Sequence, residues 1–353
     1  MGEKIMVKGT EAIGEAAIRA GCKVYFGYPI TPQSELTEYM SRRMPQEGRV
    51  FLQAESEVAT VNMMYGASSV GVRVMTSTSS PGFSLMQEGI SYMANARLPA
   101  VFVDVVRGGP GLGDIQPSQG DYFQVVKGGG HGDYRLPVYS PSSLQEAVEL
   151  TIHAFDVADK YRTPVVIFAD GMLGQMMEPV EFPDPVDPST LPNKDDWALT
   201  GAKGRKARYV TSFDIDPYKL EQMNLVLQET YKKIEAEEKK WEEFMTDDAE
   251  IIFVAHGTVG RIVKSTVKMA REKGIKAGLF RPISLYPFPY ERLAELAEKV
   301  DIVMTVEMSA GQMLEDVKLA VMGRAETPFY GRLAGVIPTP AEILEAMMKE
   351  IRR

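Results

Sequence analysis

Short apolar runs alternate with amphipathic stretches along the whole chain, which predicts strands and helices in turn. Ala12, Ile13, Ala16, Ala17 and Ala20 recur at helical spacing over residues 9–21, and Gly21 stops that helix. Val24-Tyr25-Phe26-Gly27 reads as a short strand. In Tyr28-Pro29-Ile30-Thr31-Pro32, the two prolines hold the backbone extended. A second helix runs from Ser34 towards Met44. Arg49 to Gln53 is a strand, residues 58–70 a helix of small residues, and Val72 to Thr76 a strand. Ser77 to Ser84 predicts a hydroxyl-rich turn that opens a helix over Leu85 to Asn95. Pro99 to Val106 is an almost unbroken apolar strand, as expected of a sheet covered on both faces. A long Gly-rich loop follows over 108–135, then a helix over 142–159. Pro164 to Asp170 predicts the last strand of this half.

The pattern then breaks. Prolines crowd between Pro179 and Pro192, and a basic run follows at Lys203, Arg205, Lys206 and Arg208, which predicts a linker or arm. Residues 217–247 read as one long helix, with Leu220, Leu227, Tyr231, Ile234, Trp241 and Met245 on its apolar side. The strand pattern resumes at Ile251 to Ala255. A helix over 260–273, a strand over Lys276 to Phe280, a helix over 290–299, a strand over Asp301 to Val306 and a helix over 310–322 complete a small βαβαβ unit. The expected division is 1–185, an arm with a long helix over 186–248, and 249–353.

Composition narrows the class. Length 353 favours more than one domain, and 44% hydrophobic residues support a sizeable core. A net charge of −9 argues against nucleic acid as the main partner. No apolar run has the length of a membrane span, and Met1-Gly2-Glu3-Lys4 opens no apolar signal segment, so the cytoplasm is the default expectation. The single cysteine, Cys22, excludes internal disulfides and a four-thiolate iron–sulfur cluster held by this chain alone.

The polar residues that interrupt the apolar pattern fall at strand ends, where ligands bind in open parallel sheets. Glu55 and Glu57 precede the small-residue helix. Acids there suit the helix dipole, so they are either structural or chemical. Thr31 is either a backbone-bonding turn residue or a site hydroxyl. Ser80, Pro81 and Gly82 lie in a turn able to cradle an anion or a polar ring, without the glycine spacing of a phosphate loop. Arg107 directly follows a buried strand. It either grips a carboxylate in a bidentate fork or forms an ordinary ion pair. His131 fits a loop-fixing hydrogen bonder better than a proton carrier.

Five segments in this order resemble the alpha subunit of 2-oxoacid:ferredoxin oxidoreductases: Tyr28-Pro29-Ile30-Thr31-Pro32, Glu55-Ser56-Glu57, Ser79-Ser80-Pro81-Gly82-Phe83-Ser84-Leu85-Met86, Arg107-Gly108-Gly109-Pro110 and Gly130-His131-Gly132-Asp133. The resemblance runs end to end and is nearest the 2-oxoisovalerate, or branched-chain, branch. It implies an α/β fold: a thiamine-diphosphate-binding, pyrimidine-type doubly wound parallel sheet, plus a smaller domain like the transketolase C-terminal domain.

By the resemblance, Glu57 bonds the pyrimidine of thiamine diphosphate and favours its imino tautomer. Ser80, Pro81 and Gly82 line the cofactor, and Thr31 and Arg107 hold the 2-oxoacid. The cofactor is the electron sink for decarboxylation, with coenzyme A as acyl acceptor. The diphosphate and Mg²⁺ belong to a beta subunit. This matches the absence here of a convincing diphosphate motif, since Ala169-Asp170-Gly171 with Asn193 is too short and lies by the proline-rich stretch. Electrons leave through 4Fe-4S clusters on gamma and ferredoxin-like delta subunits to ferredoxin. Pyruvate or 2-oxoglutarate as substrate, a transketolase-like chemistry on the same fold, and a non-catalytic scaffold subunit are the alternatives.

Overall fold

The computed structural model describes residues 4–351; Met1 to Glu3, on which part of the reading of the chain's start falls, lie outside the described residues. In chain order, β1 (Lys4–Lys8), α1 (Gly9–Arg19), β2 (Val24–Gly27), α2 (Ser34–Gln46), β3 (Val50–Gln53), α3 (Glu57–Ser69) and β4 (Val74–Thr78) come first. Then follow α4 (Ser80–Asn95), β5 (Ala100–Val106), α5 (Tyr122–Val126), β6 (Val138–Tyr139), α6 (Leu144–Tyr161), β7 (Pro164–Asp170), α7 (Gly171–Gln175) and β8 (Met177–Glu181). The second half holds α8 (Pro217–Glu237), β9 (Trp241–Phe244), β10 (Ile251–Val254), α9 (Gly257–Glu272), β11 (Ala277–Pro282) and β12 (Ser284–Tyr286). It closes with α10 (Tyr290–Ala297), β13 (Ile302–Glu307), α11 (Gln312–Val321), β14 (Phe329–Gly331) and α12 (Pro340–Ile351). No helix among the described residues is long and apolar enough to cross a membrane.

The larger sheet has the order β12-β6-β7-β5-β4-β2-β3 and is parallel except for β12 against β6. β5 and β7, at its centre, are buried at every position, which explains their unbroken apolar runs. The chain leaves β2 for β3 on one side and returns to β4 on the other, so the topological switch point lies between β2 and β4. The smaller sheet, β14-β13-β10-β11-β9, is parallel except for β9. Its core is the apolar stripe of α9 (Val259, Val263, Val267, Ala270) on Phe253 and Leu279.

Several expected elements have other bounds. The turn expected at Ser77 to Ser84 is mostly helix. Ser77 and Thr78 end β4 and α4 starts at Ser80, with Pro81 in the first turn, where its missing N–H costs no hydrogen bond. The helix expected over 217–247 stops at Glu237. His153, Lys160 and Tyr161 draw the next residue, Glu238, inward, and the chain turns into β9, which takes Trp241. Leu227, Tyr231 and Ile234 of that helix pack into this chain's own core. The loop over 108–135 contains α5. Pro164–Asp170 is not the last strand of its sheet, because β12 arrives from the second half and joins β6. The proline-rich stretch is fastened to the larger sheet's helices. β8 pairs with β1, the Val186 amide donates to Arg19, Lys194 meets Asp159, and the Leu199 amide donates to Ser69.

The small face of α3 does what small residues allow. A Cβ on Gly89 of α4 would lie 2.4 Å from Val61, so this glycine lets α3 and α4 close on each other. The two halves are tied by the buried guanidinium of Arg281, which bonds both oxygens of Glu146 on α6 and also Glu242 on β9.

Candidate active site

Every strand facing the switch point delivers a polar residue at its carboxyl end. β2 leads to Thr31, β3 to Glu57 at the start of α3, β4 to Ser80, Pro81 and Gly82 at the start of α4, and β5 to Arg107. Ser56 caps α3 by accepting from the Ala59 amide. This fixes the first turn and turns Glu57 inward. Glu57 is 5% exposed, and its carboxylate has no hydrogen-bond partner among the described residues. Glu55, two positions away, is exposed. The ambiguity between the two acids is therefore a matter of burial: one faces solvent, the other the fold.

Glu57 lies directly over Gly82. A Cβ on Gly82 would stand 2.5 Å from Glu57 Oε1 and 2.1 Å from Thr78 Oγ1, so only glycine fits beneath that carboxylate. The Thr78 hydroxyl is itself buried without a partner. A fully buried, unpaired hydroxyl is costly unless something supplies its missing bond, and the Glu57 carboxylate beside it is unengaged. A polar heterocycle with ring nitrogen and amino groups supplies such bonds, so these residues fit the pyrimidine of thiamine diphosphate.

Arg107 is buried and held from two sides. Nη1 donates to the Thr31 carbonyl at 2.8 Å and Nη2 to the Leu112 carbonyl at 2.9 Å. Its Nε is buried without a partner, and no carboxylate of the described residues lies within ion-pair distance of it. The ordinary ion pair considered above is thus not formed. The remaining N–H groups are free for an anion. Thr31 is exposed. Its carbonyl, not its hydroxyl, makes the recorded bond, and the hydroxyl is unpaired among the described residues.

Ser80 is committed to the protein. Its amide donates to Asp104 at 3.1 Å, its hydroxyl to Asp121, and its oxygen accepts from the Arg107 amide at 3.0 Å. It therefore fixes geometry and offers no free donor. Ser80, Pro81 and Arg107 line a cavity of about 440 Å³ with Asp121, Met308 and Gln312. Glu57, Gly82 and Thr31 are not on its wall. The structure thus brings the predicted residues together as two groups on either side of the first turn of α4. One is Glu57 with Gly82, and the other is Arg107 with Thr31 and Ser80.

The far wall of the cavity comes from the second half, which sequence patterns did not reveal. Gln119 clamps the two halves: its amide and side-chain oxygen bond both backbone groups of Met308, at 2.9 and 3.0 Å, and its Nε2 donates to the His256 carbonyl at 3.1 Å. The partners are up to 189 residues apart, so no local pattern reports them. Asp170 is engaged in the same seam, accepting from the Leu173 amide and the Thr258 hydroxyl. The His131 ring makes no hydrogen bond among the described residues and meets Tyr92 edge-on; the bond at this position is that of its backbone carbonyl, which accepts from Ser91.

His256 is fully buried in this seam between Tyr122 and Phe168, with Ser140 Oγ 3.0 Å from Nδ1. Burial, aided by Arg281, pushes its pKa down to about 3. A folded-state pKa below the unfolded one means that the unfolded chain binds the proton first, so stability falls as pH drops below about 6.5. The expected loss is up to about 1.4 kcal/mol per pH unit there. Melting of the wild type and His256→Asn between pH 7.5 and 5.5 checks this; the variant loses this contribution to the slope.

The two α/β sheets are consistent with the thiamine-diphosphate-binding fold. Residues 15–246 match the model of the thiamine-diphosphate-binding domain of pyruvate flavodoxin/ferredoxin oxidoreductase, and residues 249–343 that of pyruvate:ferredoxin oxidoreductase core domain II. The chain belongs to this 2-oxoacid:ferredoxin oxidoreductase family, which bears out the resemblance read from the five segments. It is 50% identical over 342 residues to the ketoisovalerate oxidoreductase subunit VorB of Methanothermobacter thermautotrophicus, covering 96% of each chain. It is 35% identical over 378 residues to the 2-oxoglutarate synthase subunit KorA of Methanothermobacter marburgensis, covering 99% of each.

Among solved structures, it is similar to the 2-oxoglutarate:ferredoxin oxidoreductase of Magnetococcus marinus, with a TM-score of 0.86 and 25% identity, covering 99% of this chain and 66% of that one. A split-gene transketolase, at TM-score 0.63 and 16% identity, shares the fold. Both likenesses agree with the expected pairing of a pyrimidine-type sheet and a transketolase-like second domain.

Proposed function

We propose that this chain is the alpha-type subunit of a thiamine-diphosphate-dependent oxidoreductase that decarboxylates 2-oxoisovalerate, joins the acyl group to coenzyme A and passes the electrons to ferredoxin. The observation that carries this reading is the unpaired, buried Glu57 carboxylate over Gly82 in a chain of this family. The higher identity to the ketoisovalerate subunit than to the 2-oxoglutarate subunits favours the branched-chain acid.

Thiamine diphosphate, when bound, supplies the nucleophilic carbon and the electron sink. Glu57 would accept a hydrogen bond from the pyrimidine and hold a proton there, and Gly82 leaves room for the Glu57 carboxylate. Arg107 would grip the substrate carboxylate, and the exposed Thr31 hydroxyl would contact the 2-oxoacid. A beta partner holds the diphosphate and Mg²⁺. Gamma and delta partners with 4Fe-4S clusters carry the electrons onward. Val58, Leu85, Leu112 and Ile115 are exposed in the segments that carry Glu57, Ser84 and Arg107, which suits a face covered by another subunit. Tyr209, Phe213, Ile215 and Tyr218 are exposed along the basic arm and suit a second contact. The proposed division into 1–185, 186–248 and 249–353 assigns the cofactor face to the first part.

Gly82→Ala should displace Glu57 and lower cofactor affinity at least about tenfold, since the added methyl has no free volume; a thiamine diphosphate titration of the complex reads this. The test of the function is reduction of a viologen dye by the co-expressed complex with coenzyme A. 2-Oxoisovalerate is expected to be the best substrate, ahead of pyruvate and 2-oxoglutarate. Absence of reduction with any of the three, in a fully assembled complex, would exclude the proposal.

A further inference from the structure

Behind Ser80 lie two acids that the chemistry above does not use. Asp104, on β5, is fully buried, in register with Thr78 of β4 and Phe168 of β7. Its Oδ1 accepts from the Ser80 amide, and its Oδ2 is buried without any donor. Asp121, on the loop that Gln119 clamps to the second half, accepts from the Ser80 hydroxyl. The two carboxyl groups thus converge on one residue, Asp104 on the Ser80 amide and Asp121 on the Ser80 hydroxyl. Ionised carboxylates only accept, so two of them cannot bond. A proton between them supplies the missing donor.

We infer that Asp104 and Asp121 hold one proton between them and act as positioning residues that set Ser80 and Arg107 for the carboxylate of the 2-oxoacid. This rests on the role of Arg107 given above. Burial raises both acids above the usual carboxylate range, and for Asp104 the Asp121 charge adds to it. From the loop end of β5, Arg107 acts on Asp121 in the opposite sense.

The charge count gives the consequence. With one shared proton, the pair and Arg107 together are neutral, and the free N–H groups of Arg107 attract an anion. Without it the cluster carries a net negative charge and repels the substrate. The positions are coupled through backbone as well. The Ser80 oxygen takes the Arg107 amide, and Arg107 bridges to Pro117 at the root of the same loop.

The assembled complex tests this in two ways. Infrared difference spectra of the wild type should show a protonated-carboxyl band at pH 7 that shifts in D₂O and is missing from Asp104→Asn. In steady state, KM for 2-oxoisovalerate should rise about tenfold as alkaline pH removes the shared proton, with a smaller change in kcat. Asp104→Asn leaves one ionised acid beside an amide and should flatten that rise. Asp121→Leu should raise KM at all pH values, and Asp121→Asn, which still accepts from Ser80, should restore it.

Absence of the band in the wild type, or a KM–pH curve of Asp104→Asn that superimposes on the wild type, overturns the inference. Arg107→Lys serves as the control. If it leaves KM unchanged, the reading of Arg107 fails, whereas the infrared band still reports on the pair. If the variants do not assemble, the wild-type band decides.

Discussion

Glu57→Gln is expected to lower kcat of the assembled enzyme about a thousandfold, in the range a positioned proton-handling group contributes. Glutamine has nearly the same shape, so it keeps the packing over Gly82 that a shorter side chain would lose. It lacks the charge that favours a proton on the facing ring nitrogen. The complex should therefore assemble normally, and its melting temperature should move little. Because the carboxylate is unpaired within this chain, no internal ion pair is broken by the change, and the loss reports on chemistry rather than on folding. Dye reduction and size-exclusion chromatography on the same preparation check both halves of this expectation. Full activity in Glu57→Gln would instead mark the chain as a scaffold.

Arg107→Met is expected to raise KM for the 2-oxoacid about a hundredfold, the size of losing a desolvated, hydrogen-bonded charge partner. kcat should fall less. Part of the effect comes from the Thr31 and Leu112 carbonyls, which lose their donors when the guanidinium goes. Arg107→Lys separates the two contributions. It keeps the charge but cannot reach both carbonyls and the substrate with one ammonium, so an intermediate KM is expected. Initial rates over a range of 2-oxoisovalerate concentrations measure all three forms.

The parts of the fold legible in the sequence are those whose signal is local. β5 and β7 are apolar at nearly every position because helices cover both faces, and α9 shows its stripe because only one side is buried. Two of the strands absent from the expected elements depend on partners elsewhere in the chain. β6 and β12 are two and three residues long and exist only because they pair with strands far along the chain. The overlong helix arose because Trp241 and Met245 continue the spacing of α8, while the break comes from Glu238 being captured by α6.

The site divides in the same way. Thr31, Glu57, Ser80 and Arg107 could be picked out because strand ends are where an open parallel sheet binds ligands. The choice between Glu55 and Glu57 needed burial, and the Gln119–Met308–His256 clamp needed the two halves in contact. Ser, Pro and Gly favour turns as much as helix starts, so the sequence over 77–84 predicts a turn where α4 in fact begins at Ser80.

The most direct test is a calorimetric titration of thiamine diphosphate, with Mg²⁺, into this chain alone, into its beta partner alone, and into the complex of the two. Tight binding in the complex, with weak or no binding by either chain separately and a loss of affinity in Glu57→Gln, is the expected outcome. Binding by this chain alone as tight as by the complex, or binding by the complex unchanged in Glu57→Gln, would contradict a cofactor site shared across the subunit face that carries Glu57.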